Sequence, residues 1–82
     1  TYVIYDIDTS APRQLTLPAV ADVTDGRIYI FKDADGDSPT NNITIVPDGS
    51  DTIDGDAASL VIDSSYASVE LVGDGVSNWL LN

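Results

Sequence analysis

Three aspartates at alternate positions, Asp33, Asp35 and Asp37, are the residues whose types and spacing most suggest metal chemistry. Carboxylates at this spacing are typical of the start of a calcium-binding loop, which also requires glycine at loop position 6 and glutamate at position 12. Counted from Asp33, position 6 is Ser38 and position 12 is Thr44, so both requirements fail. The segment therefore predicts a solvated hairpin tip, with no metal ion and no cofactor.

The acidic residues also bear on catalysis. Two carboxyl groups can act as acid and base in glycoside hydrolysis, but no pattern singles out a pair among thirteen aspartates and Glu70. Histidine and cysteine are absent from the sequence, and the one lysine is Lys32. Most other catalytic nucleophiles and bases come from these residue types. We therefore predict no catalytic residues and no enzymatic activity.

Aromatic side chains are the remaining candidates for ligand binding, since a ring can stack on the apolar face of a sugar. The candidate ligand-binding residues are Tyr66, Trp79 and Asp35, the last as part of the acidic loop. The competing interpretation is that the rings pack in the core or at a subunit interface, which a chain this short requires of its aromatic residues. We favour packing and keep the ligand site as an alternative.

Net charge and size narrow the class of protein. A formal net charge of −11 without a basic patch argues against nucleic acid and against a membrane as partners. The 82 residues suffice for a single domain over 1–82, but such a chain buries only about 60–65% of its unfolded surface. Without cysteine, neither a disulfide nor a zinc–thiolate site can stabilise the domain. We therefore expect sheet packing and other subunits to supply the stability.

Alternating apolar residues, separated by turns rich in Asp, Gly and Pro, predict strands. Residues 19–24 are too few for a stable helix and predict a loop with one 3₁₀ turn. The apolar runs 27–32 and 42–46 predict a hairpin across the acidic loop. The fold class predicted is all-β, a small antiparallel sandwich or barrel-like unit of about five to seven short strands. The strands are predicted at residues 1–8, 14–17, 27–32, 42–46, 60–62 and 69–72, and a further strand is predicted at Trp79.

The strand at residues 27–32 is apolar on both faces, with isoleucines on one side and aromatic rings on the other. One face of a small sandwich sheet usually meets water, so this strand is predicted to be central or to press its second face on a neighbouring subunit. The predicted interface residues are Tyr29, Phe31 and Trp79. The predicted core residues are Val3, Ile28, Ile30, Ile43, Ile45, Leu60, Ile62, Val69 and Leu71.

Six short segments in a fixed order give the chain a family resemblance. They are Leu15–Pro18, Gly26–Asp33, Asn41–Ile45, Asp51–Gly55, Ser65–Val69 and Asp74–Trp79, spread over residues 3–81. Their order resembles a recurrent β-module of bacteriophage virion proteins, namely tail fibres, tailspike-like proteins, head fibres and capsid-associated surface proteins. The chain departs from that module by an extra acidic residue within 54–58 and by a longer turn within 73–79.

The resemblance implies a location at the virion surface and a homotrimer with strands packed around a three-fold axis. No catalytic residues are implied. The resulting hypothesis is a non-enzymatic structural module, a capsid decoration or fibre segment bound to other capsid or tail proteins. The alternative is a receptor-binding tail-fibre module that recognises a host surface glycan or protein through Tyr66, Trp79 and the loop of Asp35. The sequence begins in a predicted strand without methionine, which indicates either removal of the initiator or a segment of a longer protein.

Overall fold

The computed structural model describes residues 2–23 and 27–81. These residues form eight β-strands and one 3₁₀ turn, Val20–Asp22, and they contain no α-helix. The strands are β1 Tyr2–Ile7, β2 Arg13–Thr16, β3 Ile28–Asp33, β4 Ile43–Val46, β5 Thr52–Ile53, β6 Leu60–Ile62, β7 Ser68–Gly73 and β8 Asn78–Leu81. The predictions of an all-β fold and of a 3₁₀ turn after the second strand are confirmed.

Two sheets contain all of these strands. The five-stranded sheet has the order β1-β3-β7-β8-β5, and the three-stranded sheet has the order β2-β4-β6. The pairs β1/β3, β2/β4 and β5/β8 are parallel, whereas β3/β7, β4/β6 and β7/β8 are antiparallel. The prediction of an antiparallel unit is therefore wrong for half of the pairings in the described residues. For β1/β3 and β2/β4 the reason is that β1 to β4 alternate between the sheets, so that each strand returning to a sheet runs in the same direction as its neighbour.

The predicted hairpin between residues 27–32 and 42–46 is wrong for the same reason. β3 belongs to the five-stranded sheet and β4 to the three-stranded sheet. The acidic loop between them crosses from one sheet to the other and does not form the tip of a hairpin. Its geometry is consequently set by contacts with both layers.

One hairpin between consecutive strands does form, from β7 to β8. Its turn is held by Asp74, whose Oδ1 accepts the N–H groups of Val76, Ser77 and Asn78 at 2.8, 3.1 and 3.1 Å. The bond from Val76, with support from Asn78, holds the pKa of Asp74 below its ordinary value. Aspartate here acts as a turn residue, as its abundance in the loops indicates.

The two sheets pack face to face around one apolar core. Trp79 is the largest side chain with no exposed surface. Of the predicted core residues, Ile43, Ile45, Ile62 and Leu71 are buried. Partly buried side chains that pack against this core include Val3, Leu60 and Val69. Among the residues that the structure describes, the buried side chains of this core are Ile7, Leu17, Val20, Tyr29, Phe31, Ile43, Ile45, Ile53, Ile62, Leu71 and Trp79.

The faces of β3 are the reverse of those predicted. Tyr29 and Phe31 point into the core, with 8% and 3% of their surface exposed, whereas Ile28 and Ile30 are half-buried on the opposite face. The prediction that these two isoleucines are core residues is therefore wrong. Alternation separates the two faces of a strand but does not say which one points inward. The aromatic rings offer the larger area to bury.

Candidate interaction surfaces

Asp33, the last residue of β3, is the buried centre of a polar cluster and has no exposed surface. Its Oδ1 accepts the Thr9 hydroxyl at 2.7 Å and the Gly36 N–H at 2.9 Å. Its Oδ2 accepts the N–H groups of Ser38 and Tyr66 at 3.0 and 3.1 Å. Three loops that are distant in sequence therefore meet on one carboxylate.

The electrostatics of Asp33 follow from these bonds. Burial by itself would raise its pKa, but the hydrogen bonds from Thr9, Ser38 and Gly36 outweigh that effect and hold the pKa well below its ordinary value. The prediction of a solvated tip is wrong at Asp33, although Asp35 and Asp37 are exposed. Over residues 2–23 and 27–81, no group of three or more acidic side chains is placed to hold a metal ion.

Two further carboxyl groups, Asp8 and Asp35, lie beyond the ends of the neighbouring strands β1 and β3. The hydrogen bond between them is the main cause that raises the pKa of Asp35. The Ser10 N–H donates to Asp8 Oδ1 at 2.8 Å, and this bond is the main cause that lowers the pKa of Asp8 to about 2. Arg13 Nη2 lies 3.6 Å from Asp8 Oδ2, with 41% and 64% of the two side chains exposed. Negative charge is therefore concentrated at this end of β1.

Tyr66 is an exposed ring on a fixed backbone, with 58% of its surface accessible. Its φ of 60° lies in the left-handed region that residues other than glycine rarely adopt. Its N–H donates a hydrogen bond to Asp33 Oδ2. The ring lies so close to Gly36 that a Cβ there would be 2.5 Å from Tyr66 Cε2. Lys32 donates to the Tyr66 carbonyl and places its Nζ 5.5 Å from the ring centroid.

The candidate ligand-binding residues do not all lie together. Tyr66 and Asp35 occupy loops that meet where the Tyr66 ring contacts Gly36. Trp79 has no exposed surface and meets Tyr29 edge-on in the core, with ring centroids 5.3 Å apart. A ring buried in this way presents no face to a ligand. The Trp79 Nε1–H is buried and has no hydrogen-bond acceptor in the part of the chain that the structure describes.

The predicted interface residues are likewise buried by this chain itself. Tyr29, Phe31 and Trp79 all belong to the core between the two sheets. Five aliphatic side chains of the five-stranded sheet point away from that core, on its outer face, and they are Ile4, Ile28, Ile30, Val72 and Leu80. The same face also carries polar residues, with Lys32 opposite Asp6 and Glu70 opposite Ile30.

The residues of the outer face are cross-strand neighbours. Ile4 lies opposite Ile30, and Val72 lies between Ile28 and Leu80. Ile4 and Leu80 are 61% and 45% exposed. The three-stranded sheet packs on the other side of the larger sheet, and Ile28, Ile30 and Val72 are half-buried.

The outer side of the three-stranded sheet has a different composition. The residues there alternate with the buried Ile43 and Ile45. They include Gln14, Thr16, Thr44 and the half-exposed Val61. Polar residues on this side suit contact with water, whereas the aliphatic side chains on the outer face of the larger sheet do not.

A groove of about 110 Å³ forms a further apolar surface, between the inner side of β1 and the edge strand β2. Its walls include Tyr5, Leu15, Leu17 and Pro18. Tyr5 is 43% exposed and stacks on Phe31, with ring centroids 5.2 Å apart and planes 8° from parallel. Alternation in residues 14–17 marks the leucines as inward, but no sequence signal shows that the two sheet edges stay apart here.

The chain matches a known protein family over most of its length. A family model described as bacteriophage T4 gp9/10-like protein, N-terminal, matches residues 2–76. The chain belongs to this family. It is thus a structural module incorporated in a phage virion, and the predictions of a phage virion β-module and of a virion location are confirmed. A search of curated proteins found no match.

The gp9/10-like match extends from β1 to the turn that precedes β8. The Asp33 cluster, Tyr66 and the groove lie inside the matched range, while Leu80 of the outer face and Trp79 lie beyond it. Membership of a phage structural family also implies contact with other virion proteins. In the described part of the chain, no helix has the length and apolar character needed to cross a membrane.

Proposed function

We propose that this gp9/10-like chain is a non-enzymatic, homotrimeric module at the virion surface, where it serves as a capsid decoration or a fibre segment. The observation that supports this proposal is the outer face, whose aliphatic side chains span four neighbouring strands of the larger sheet and adjoin the charged Lys32 and Glu70. A sheet with one face in water normally carries polar residues there. A contiguous apolar face on a small domain instead marks a site of association.

Burial of the outer face supplies the stability that the short chain lacks. Fully burying an exposed Ile or Leu side chain stabilises by roughly 1.5–3 kcal/mol, and Ile4 and Leu80 are about half exposed. Each contact between copies adds this stabilising free energy, and the loss of translational and rotational entropy on association opposes it. A trimer would also bind a three-fold site on the particle through three linked contacts, each individually weak.

The test of the trimer uses two substitutions of the same kind at two exposed aliphatic side chains. Leu80→Asp places a charge on the outer face, whereas Val76→Asp places it in the β7–β8 turn, where Val76 is 73% exposed. Sedimentation velocity at micromolar concentration is expected to show trimers for the wild type and Val76→Asp and monomers for Leu80→Asp. A wild-type monomer, or trimers of Leu80→Asp with the fold intact by circular dichroism, would refute the proposed interface.

The second candidate function is recognition of a host surface glycan or protein by a tail-fibre module. The observation in its favour is Tyr66, an exposed ring held by a rare backbone conformation beside the loop of Asp35. Rare backbone conformations that the surrounding structure maintains cluster at binding sites. A glycan array separates the candidates: receptor binding predicts a signal that Tyr66→Ala removes and Tyr66→Phe retains. An array with no signal at all would contradict glycan recognition and favour the structural role.

A further inference from the structure

The outer edge of β1 presents backbone groups in a defined pattern. Among the strands of residues 2–23 and 27–81, β1 ends the five-stranded sheet and pairs only with β3. The Ala34 N–H donates to the Ile7 carbonyl at 3.0 Å, so the backbone groups of Ile7 point toward β3. Because successive residues of a strand point these groups in opposite directions, the N–H and C=O of Ile4 and Asp6 point toward the open edge. An open edge of this kind is a template for one more strand.

The groove lies directly beside this edge. Tyr5 points from β1 into the groove and is only partly covered, with Phe31 stacked on one face of its ring. Leu15 and Leu17 of the smaller sheet form the opposite wall. A strand added to β1 would point alternate side chains into this space, because side chains alternate between the two faces of a sheet. The space suits one aliphatic side chain with small neighbours.

Charge at the end of β1 defines the partner further. Asp6 is exposed on β1, where Lys32 of β3 lies opposite it, and the exposed Asp8 and Asp35 lie beyond the end of the strand. Arg13 is the one cation bonded to this group in the described residues, at 3.6 Å from Asp8. A second copy of this chain paired along β1 would bring its own Asp6 and Asp8 to the same edge. A segment bearing lysine or arginine would instead be attracted.

We propose that the open edge of β1 and the adjoining groove bind an extended segment of another virion protein, with aliphatic side chains at alternate positions and basic residues facing Asp6 and Asp8. The partner class rests on the proposed function, but the binding mode does not. A strand added to the edge approaches within the plane of the sheet, whereas a partner on the outer face approaches perpendicular to that plane. Both surfaces can therefore be occupied at once. Such strand addition obtains affinity from backbone bonds and specificity from the side-chain groove.

The experiment uses the whole chain and a fluorescent nine-residue peptide that alternates leucine with threonine and ends in two lysines. A control peptide has the same composition with its leucines and threonines in separate blocks. We expect saturable binding, measured by anisotropy, for the alternating peptide alone, and weaker binding at high salt. Backbone amide exchange at Ile4 and Asp6 is expected to slow when the peptide is added.

Two variants at one position separate the backbone from the side chain. Ile4→Pro removes an N–H that points to the open edge and leaves the bonds to β3 intact, so the peptide should bind roughly tenfold more weakly. Ile4→Ala keeps the N–H and should bind within about twofold of the wild type, because the Ile4 side chain lies on the outer face and not in the groove. Circular dichroism checks the fold of both.

Several outcomes would overturn this proposal. They are equal binding of the block peptide, no saturable binding, and unchanged affinity of Ile4→Pro. Concentration-dependent protection of the Ile4 and Asp6 amides without peptide would assign the edge to a second copy instead. The Leu80→Asp variant is expected to bind the peptide as the wild type does, so failure of the trimer and failure of strand addition give distinguishable results.

Discussion

Asp33 joins parts of the chain that no local pattern connects. Its hydrogen-bond donors belong to Thr9, to the loop that follows β3, and to Tyr66. The Asn41 side chain donates to the Thr9 carbonyl at 2.9 Å, which fastens the same loops a second time. The sequence identifies Asp33, Asp35 and Asp37 as an acidic turn. Which of the three is buried depends on donors more than twenty residues away, so spacing alone could not predict it.

Asp33→Asn is expected to destabilise this protein more than most other substitutions of an aspartate by asparagine. An asparagine keeps one acceptor oxygen but turns an NH₂ group toward N–H donors of Ser38 and Tyr66, leaving buried donors unpaired. The thermal midpoint should fall on the order of 10 °C. Asp63→Asn, at an exposed position, removes the same charge and should change the midpoint by a few degrees at most. Equal midpoints for the two variants would show that the cluster contributes nothing.

At the scale of elements, β3 shows what alternation predicts and what it leaves open. The pattern correctly separates Ile28 and Ile30 from Tyr29 and Phe31, and it correctly indicates a strand with two apolar faces in the middle of a sheet. The inward face is chosen by the partners of β3, which are β1 and β7 and not the next strand in sequence. Those pairings join strands that are distant in sequence. The predicted hairpin wrongly paired β3 with β4, the next strand along the chain.

Truncating one residue from each face of β3 tests this orientation. In the Leu80→Asp background, where the proposed trimer is absent, Phe31→Ala should lower the free energy of unfolding by about 3 kcal/mol or more. Ile30→Ala should lower it by about 1 kcal/mol, because the side chain is only half-buried on the outer face. Urea unfolding measures both. A larger loss for Ile30→Ala would place the core on the opposite side of the sheet.

At the scale of the whole molecule, the sequence predicts the class of fold better than its connections. Alternation and turn residues indicate seven of the eight described strands, including β8 at Trp79, and the single 3₁₀ turn. They miss β5, which is two residues long. Parallel pairing is missed because it requires strands to cross between layers, which turn chemistry does not specify. Of the candidate ligand residues, Tyr66 and Asp35 lie in adjoining loops, while Trp79 lies in the core.

The stability of the molecule should pass through a maximum as the pH is lowered. With a net charge of −11, protonation of carboxyls first reduces repulsion within the folded chain. The raised pKa of Asp35 acts in the same direction, because its charged form is disfavoured in the fold and protonation removes that penalty. The thermal midpoint should therefore rise as the pH falls from 7 toward about 4.5.

Below about pH 4 the sign reverses. The lowered pKa values of Asp33 and Asp8 mean that their contribution to stability is complete above the ordinary aspartate pKa and is lost as the pH falls toward the folded values. Thermal melts across this range should show the maximum, and Asp33→Asn should flatten the acidic limb. A midpoint that rises steadily down to pH 2 would contradict these roles.

Electron microscopy of the intact particle tests whether three copies bury the outer face on the virion surface. Density for this module is expected in groups of three around a symmetry axis of the capsid or fibre. Ile4, Ile30 and Leu80 should lie at the contact between copies. Isolated copies, or groups whose five-stranded sheets turn the outer face to solvent, would contradict this arrangement.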